Sequence, residues 1–211
     1  MEYGQYYHVY NHANGVEDLF KEEANFNYFL MTLQYFLTPV VETHVYCLMP
    51  NHFHLLIKVR EADDIKNRLE QWQRALKLGG KKGIKDERFC MMLKDPTLFI
   101  RQQFSNCFNS YSQAYNKYHK RKGSLFRKNY KYKKVGDKLY LKQLVLYIHN
   151  NAVHHGFCNQ LTDWSYSSFQ EYMDDEHGLV VKKEIYKLFK GRKNLISHHQ
   201  RWKNPFKLDE F

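Results

Sequence analysis

The sequence predicts a mixed α/β chain of the α+β kind, an antiparallel sheet with helices packed on it. Three observations carry that expectation. Residues 5–12 and 52–59 alternate their side chains with period two, as strands do. Residues 22–37 and 138–154 repeat apolar side chains at helical spacing. Between residues 40–48 and 52–59 stands only Met49-Pro50-Asn51, a connection too short for anything but an antiparallel pair. The 211 residues suit one domain of ordinary size with extensions, and 43% hydrophobic content is enough for a core.

Residues 5–12 read as the first strand, and Asn14-Gly15 marks the turn after it. Phe26, Phe29, Leu30, Leu33 and Leu37 form one face of an amphipathic helix over 22–37, which Pro39 stops. Residues 40–48 are a second strand. In the third, Phe53, Leu55, Ile57 and Val59 line one face, and His52 and His54 the other, about 6–7 Å apart along the chain. Two imidazoles so placed can converge on one divalent ion or simply face solvent. Ala62–Leu78 reads as a polar helix, and Gly79-Gly80-Lys81-Lys82-Gly83 as a flexible basic loop. Phe104, Phe108, Tyr111, Tyr115 and Tyr118 make a stripe along a helix over about 96–120, a pattern of packing rather than chemistry.

Residues 123–135 are extended in type and densely basic. Phe126, Tyr130 and Tyr132 alternate with Arg127, Lys131 and Lys133, either as a track for a nucleic-acid strand or as a lysine-guarded edge strand. Lys138–His154 is the second essential helix, with Leu141, Leu144, Val145 and Ile148 toward the core. On it Tyr147 and Asn151 lie one turn and about 40° apart, so both can reach one point. Asp163-Trp164-Ser165-Tyr166-Ser167-Ser168-Phe169 is a turn into a short helix, residues 182–202 predict one or two basic helices, and the tail to Phe211 is expected to be loose.

Lys and Arg number 33 against 22 Asp and Glu, a formal charge of +11, accompanied by 17 Tyr and 15 Phe. Cations neutralise phosphates and rings stack on unpaired bases, so nucleic acid is the first partner to consider. No long basic amphipathic helix favours a membrane surface. Cys47, Cys90, Cys107 and Cys158 form no CxxC pair and are expected to be reduced thiols. No secretory segment opens the chain and no run of about 18 apolar residues occurs, which predicts a soluble cytoplasmic protein.

Several ordered stretches resemble the HUH single-strand tyrosine transposases, whose name denotes histidine, hydrophobic residue, histidine. They are Tyr7-His8-Val9-Tyr10-Asn11, Leu19-Phe20, the run from Tyr46 to Leu56 containing His52-Phe53-His54, Gly123-Ser124-Leu125-Phe126, Tyr147-Ile148-His149-Asn150-Asn151-Ala152-Val153, and Asp163-Trp164-Ser165-Tyr166-Ser167-Ser168. The set is similar to the insertion-sequence-200-like group and its REP-associated tyrosine transposase branch, over roughly residues 5–172.

The resemblance implies a ferredoxin-like antiparallel sheet with the HUH motif on a central strand. It assigns His52 and His54 as metal ligands, Asn151 as the polar residue completing the metal site, and Tyr147 as the nucleophile. The family motif has proline where Ala152 stands, a departure that removes no catalytic group. The implied activity is metal-dependent cleavage and rejoining of single-stranded DNA at hairpins or imperfect palindromes, through a 5′-phosphotyrosine and with Mg2+ or Mn2+. Arg127, Lys128, Tyr130, Lys131, Lys133 and Lys134 are candidate nucleic-acid contacts. Lys142 or the lysines of 131–134 are candidate cations to ionise Tyr147.

On this reading residues 1–175 are the catalytic domain, with a helical, basic insertion at about 61–95, and 176–211 a basic helical extension. The protein is expected to be nucleoid-associated in a bacterial cytoplasm, as monomer or homodimer. Two other readings stay open: a domesticated hairpin-binding protein that no longer cuts, and a hydrolase, which needs a carboxylate such as Glu42 or Asp137 beside the histidines. Among other tyrosines, Tyr140, Tyr111, Tyr115, Tyr130 and Tyr132 compete with Tyr147. His154 reads as a helix-end group, and His8, His12 and His44 as structural or surface groups.

Overall fold

The computed structural model describes residues 1–80, 82–174 and 178–202. The alternating stretches become β1 (Tyr6–His12), β2 (Val41–Met49) and β3 (His52–Val59), and part of the basic stretch becomes β4 (Lys131–Lys134). Their spatial order is β2-β3-β1-β4, every neighbouring pair antiparallel. Between β1 and β2 runs α1 (Glu23–Leu37). Between β3 and β4 run α2 (Ala62–Leu78), α3 (Asp86–Lys94) and α4 (Pro96–Tyr118). Strand, helix, two strands, helical segment and strand in this order make the ferredoxin-like arrangement, with β3 inside the sheet.

The apolar side of β3 fixes which face is closed. Phe53 meets Phe29 of α1 at 5.1 Å and Phe108 of α4 at 5.7 Å between ring centroids, and Phe126 lies 5.4 Å from Phe108. Phe29, Phe53 and Phe104 are wholly buried. Each such side chain contributes roughly 1.5–3 kcal/mol of transfer free energy. Tyr111 and Tyr115 of the aromatic stripe donate their hydroxyls to the carbonyls of Leu19 and Asp18, which makes them structural.

The opposite face is crossed by α5 (Lys138–His154), which packs on β2 and β3. Asp137 caps it, accepting from the Tyr140 N–H at 2.8 Å, and the helix runs through Ala152 without interruption. Three of the quoted motifs hold this frame together. The tip of the β2–β3 hairpin is pinned where Pro50 accepts from the N–H groups of Leu19 and Phe20. Residues 164–168 cover the outer edge of β2: Leu48 N–H donates to Tyr166 O, Ser168 N–H to Tyr46 O, and the Trp164 indole to Leu48 O. Ala13 and Phe126 form a bridge that prolongs the pairing beyond β1.

After α5 come α6 (Phe169–Asp174), α7 (Lys183–Phe189) and α8 (Arg192–Arg201). Ile185, Phe189 and Leu195 are buried in the common core, so the C-terminal helices pack onto the rest of the chain. A buried chain of polar contacts ties α8 to α5 and β2. His149 Nδ1 pairs with His199 Nε2 and His149 Nε2 with Ser168 Oγ, each at 2.8 Å, and Ser168 Oγ accepts from Tyr46 N–H.

Some sequence expectations are corrected. Helix α3 was not anticipated between the basic loop and α4. The basic stretch is not one strand: Asn129 has φ of +64°, a left-handed conformation that breaks the extended run, so Phe126 joins the core and only four residues pair as β4. Lys81 of the glycine-rich loop, residues 175–177 at the expected domain boundary and the tail 203–211 lie outside the described residues. Among those described, no helix is long and apolar enough to cross a membrane. All four cysteines are unpaired.

Candidate active site

The register of β1 against β3 decides what surrounds the two histidines. Tyr10 lies opposite His54 and His12 opposite His52. Directly opposed residues share a face with side chains about 4.5–5.5 Å apart. His12 accordingly stacks on His52 at 4.7 Å and 11° between planes, and the His8 ring lies edge to edge with His54, 5.0 Å between centroids. His52 and His54 themselves are 5.3 Å apart, nearly perpendicular. His155, just past α5, stands 4.8 Å from His52.

Helix α5 brings its polar pair to the same place. The Tyr147 ring is 5.6 Å from His54 and 6.3 Å from His8. Asn151, one turn on, is fully buried, and neither its Oδ1 nor its Nδ2 has a hydrogen-bond partner. Its carboxamide is near enough to His52 and Tyr147 to bias both their proton equilibria, yet neither approach has hydrogen-bond geometry. Tyr147, Asn151, His52 and His54, drawn from a helix and an inner strand, thus share one pocket in one chain.

Burial keeps His8, His52 and His54 neutral. Burial, aided by the Lys133 ammonium, pulls His8 down to about 3. Burial, then His12 and His155, pulls His52 to about 3 against the opposing carboxamide of Asn151. His54 is held well below its ordinary value by burial and by the surrounding imidazoles. Burial also raises the Tyr147 phenol, while Asn151 opposes the rise and Tyr140 and Cys47 add to it. Two of the lysines expected to ionise the phenol are engaged elsewhere. Lys142 sits over the Phe189 ring at 5.8 Å, and Lys133 over the Tyr140 ring at 5.6 Å.

The donor set fits a divalent cation. His52 donates its Nδ1–H to Asn51 Oδ1 at 2.7 Å, which puts its lone pair on Nε2. His54 Nδ1 is engaged with His8 Nε2 at 2.8 Å. Among the described residues no three His, Cys, Asp or Glu side chains converge in metal-binding geometry, so a third protein ligand falls to the orphaned Asn151 amide. Two imidazoles and an amide oxygen suit Mn2+ at least as well as Mg2+. The carboxylates a hydrolase would need stand elsewhere: Glu42 is bonded to Arg60 at 3.0 Å, and Asp137 caps α5.

The expected nucleic-acid contacts divide. Lys131 and Lys133 lie opposite Tyr10 and His8, on the pocket's face of the sheet. Arg127 reaches His12 electrostatically, and Lys128 is exposed. Lys134 points to the other face and pairs with Glu2 at 2.5 Å. The Tyr130 ring stacks on Phe104 at 5.0 Å, half-buried against α4. A groove of about 610 Å³ runs between α4 and the loop before β4, lined by Asn11, Arg101, Asn109, Ser124, Arg127 and Lys128 among others.

His8 and His12, read from sequence as structural or surface groups, belong to the pocket. Residues 8, 10 and 12 alternate on β1 as 52 and 54 do on β3, and that shared period was the available signal. His154 is exposed, and it is His155 that faces His52. His44 is structural, its Nδ1–H donated to Val181 O.

No family model matches the chain. A curated protein of Haemophilus influenzae, provisionally named a REP-associated tyrosine transposase, is 29% identical over 147 residues, covering 69% of this chain. The match spans 64% of that relative, less than two thirds of its length. A solved structure of a REP-associated tyrosine transposase bound to a REP hairpin superposes with a TM-score of 0.53 at 15% identity, covering 86% of this chain and 90% of the other. That likeness establishes the shared fold. In its ordered motifs, in its curated relative and in its fold, this chain resembles the REP-associated tyrosine transposases.

Proposed function

We propose that this chain is a transposase that cleaves and rejoins single-stranded DNA at hairpin or imperfect-palindrome sites, with Tyr147 as nucleophile and a divalent ion held by His52, His54 and Asn151. The observation that carries the reading is the meeting of Tyr147 with the His52–His54 pair around a buried carboxamide that has no partner of its own. The hairpin substrate follows from the similar solved structure, which carries one, and from the exposed cations beside the pocket. The site of action is the bacterial cytoplasm, where such DNA is found.

Each residue type has a chemical reason. The Tyr147 oxygen attacks a phosphodiester phosphorus, forming a 5′-phosphotyrosine and releasing a 3′-hydroxyl. The covalent bond keeps a reactive ester for a second 3′-hydroxyl to attack, so strands rejoin without ATP. When bound, the ion supplies polarisation of the scissile phosphate and lowers the cost of the phenolate. His52 and His54, kept neutral by burial, offer lone pairs at neutral pH. Asn151 favours the ionised phenol. Lys131, Lys133 and Arg127 hold the phosphates leading to it. One chain provides every one of these groups.

The test is to incubate the protein with labelled hairpin DNA bearing a single-stranded flank and Mn2+, then denature. A protein–DNA band that persists in denaturant, and is lost in Tyr147→Phe while hairpin binding remains, is the expected result. Cleavage without a band points to water as nucleophile, binding without cleavage to a hairpin-binding module, and an undiminished band in Tyr147→Phe removes Tyr147 from the role.

A further inference from the structure

His52 and His54 are oriented by different kinds of partner. The partner of His52 Nδ1 is Asn51 Oδ1, an amide oxygen that can only accept. Its proton is fixed on Nδ1, and the lone pair on Nε2. The partner of His54 Nδ1 is His8 Nε2, at 2.8 Å between two buried rings that lie edge to edge with 25° between their planes. An imidazole nitrogen can donate or accept, so this bond exists in two forms. In one, His54 Nδ1–H donates to His8 and His54 carries its lone pair on Nε2. In the other, His8 Nε2–H donates to His54, whose Nε2 then bears a proton and cannot ligate through that atom.

We infer that His8 is a positioning residue for the ion site: it accepts from His54 Nδ1–H and so sets the tautomer in which His54 can bind a cation through Nε2. The inference rests on the ion-binding role proposed above for His52, His54 and Asn151. Two features of the structure support the bond it rests on. His8 is 1% exposed, so no solvent competes for the bond. Its strand is paired to β3 along its whole length, which holds the two rings in register. Partners of this kind raise ligand basicity and fix ring direction, and losing one costs about 10- to 100-fold in metal affinity.

The experiment is calorimetric titration of Mn2+ into the full chain and its variants at pH 7.5, with thermal unfolding in EDTA to monitor the fold. His8→Leu removes the acceptor from a buried position, and His8→Gln returns a carbonyl oxygen near the place of Nε2. Expected are a loss of about 10- to 100-fold in affinity for His8→Leu and recovery to within a few-fold for His8→Gln. Unchanged affinity in His8→Leu, or equal losses in both variants, overturns the inference while leaving the ion site standing. Failure of the unaltered protein to bind Mn2+, with His54→Ala behaving identically, overturns the ion site itself. Imidazole nitrogen shifts of the unaltered protein with Mg2+ need no substitution. A protonated Nδ1 on His54 and an unprotonated Nε2 on His8 are expected, and the reverse refutes the inference even if His8→Leu does not fold.

Discussion

Replacing Asn151 with leucine is expected to make the ion-free protein more stable while removing its response to metal. Leucine copies the branch at Cγ but carries two methyls where asparagine has Oδ1 and Nδ2. Both of those atoms are buried without partners. Leaving a buried polar group unsatisfied costs about 1–3 kcal/mol. Against the relief stands the added volume of the methyls, because overpacking costs about 1–3 kcal/mol. With two orphaned atoms on one side and one overpacked branch on the other, the net expectation is a gain of about 2 kcal/mol. In a chain of this size that raises the melting temperature by about 4–8 °C. Saturating Mn2+, at a hundredfold its dissociation constant, should give the unaltered protein a similar gain, about 2.7 kcal/mol, and the leucine variant none. Scanning calorimetry in EDTA and in Mn2+ measures both shifts. A variant that melts below the parent in EDTA, or that keeps the parent's Mn2+ shift, refutes the argument that this amide is held unsatisfied for an ion.

Lys131→Gln with Lys133→Gln should weaken binding of the hairpin's single-stranded flank and lower the slope of log affinity against log salt by about 0.7 per lysine; Lys134→Gln, on the other face and paired with Glu2, should leave the slope unchanged, and salt-dependent fluorescence anisotropy compares them. Acid should unfold the protein abruptly. His8 and His52 are held to about 3, His199 to about 4, and His54 and His149 well below the ordinary value, in each case chiefly by burial. Between those values and about 6.5 the unfolded chain binds more protons, so stability falls as pH falls, by about 1.4 kcal/mol per pH unit for each histidine. Together they approach ~4–7 kcal/mol per unit near pH 5, and circular dichroism showing a native fold at pH 4 would contradict it. Phe53→Ala, at the meeting of α1, α4 and β3, should cost about 3–5 kcal/mol in urea unfolding.

The strands and long helices were legible because periodicity reports burial directly. Ala62–Leu78 and Lys138–His154 have the predicted ends, since an acidic first turn and Gly79 bound the first and an Asp cap and Gly156 the second. Helix α3 was missed although Asp86-Glu87 opens it and Lys94 closes it; its nine residues bury only Met92, so its apolar signal is faint. The interruption at Asn129 was invisible because a left-handed residue leaves alternation intact on paper. In the pocket, His52, His54, Tyr147 and Asn151 were named through the family resemblance of their motifs, since spacing alone left a solvent-facing histidine pair and other tyrosines open. His8 and His12 could not be assigned to it without the register of β1 on β3, and a register is a property of two strands together.

From Leu144 to His149, six consecutive residues of α5 are buried, so this part of the helix has no wet side. Sheet, imidazole pocket and C-terminal helices each claim a flank of it. Random mutagenesis scored by retained solubility should find almost no tolerated polar replacement there, and the few survivors should come with a second change in a facing element. Grafting the tyrosine segment into another scaffold would therefore mean moving its three neighbours with it.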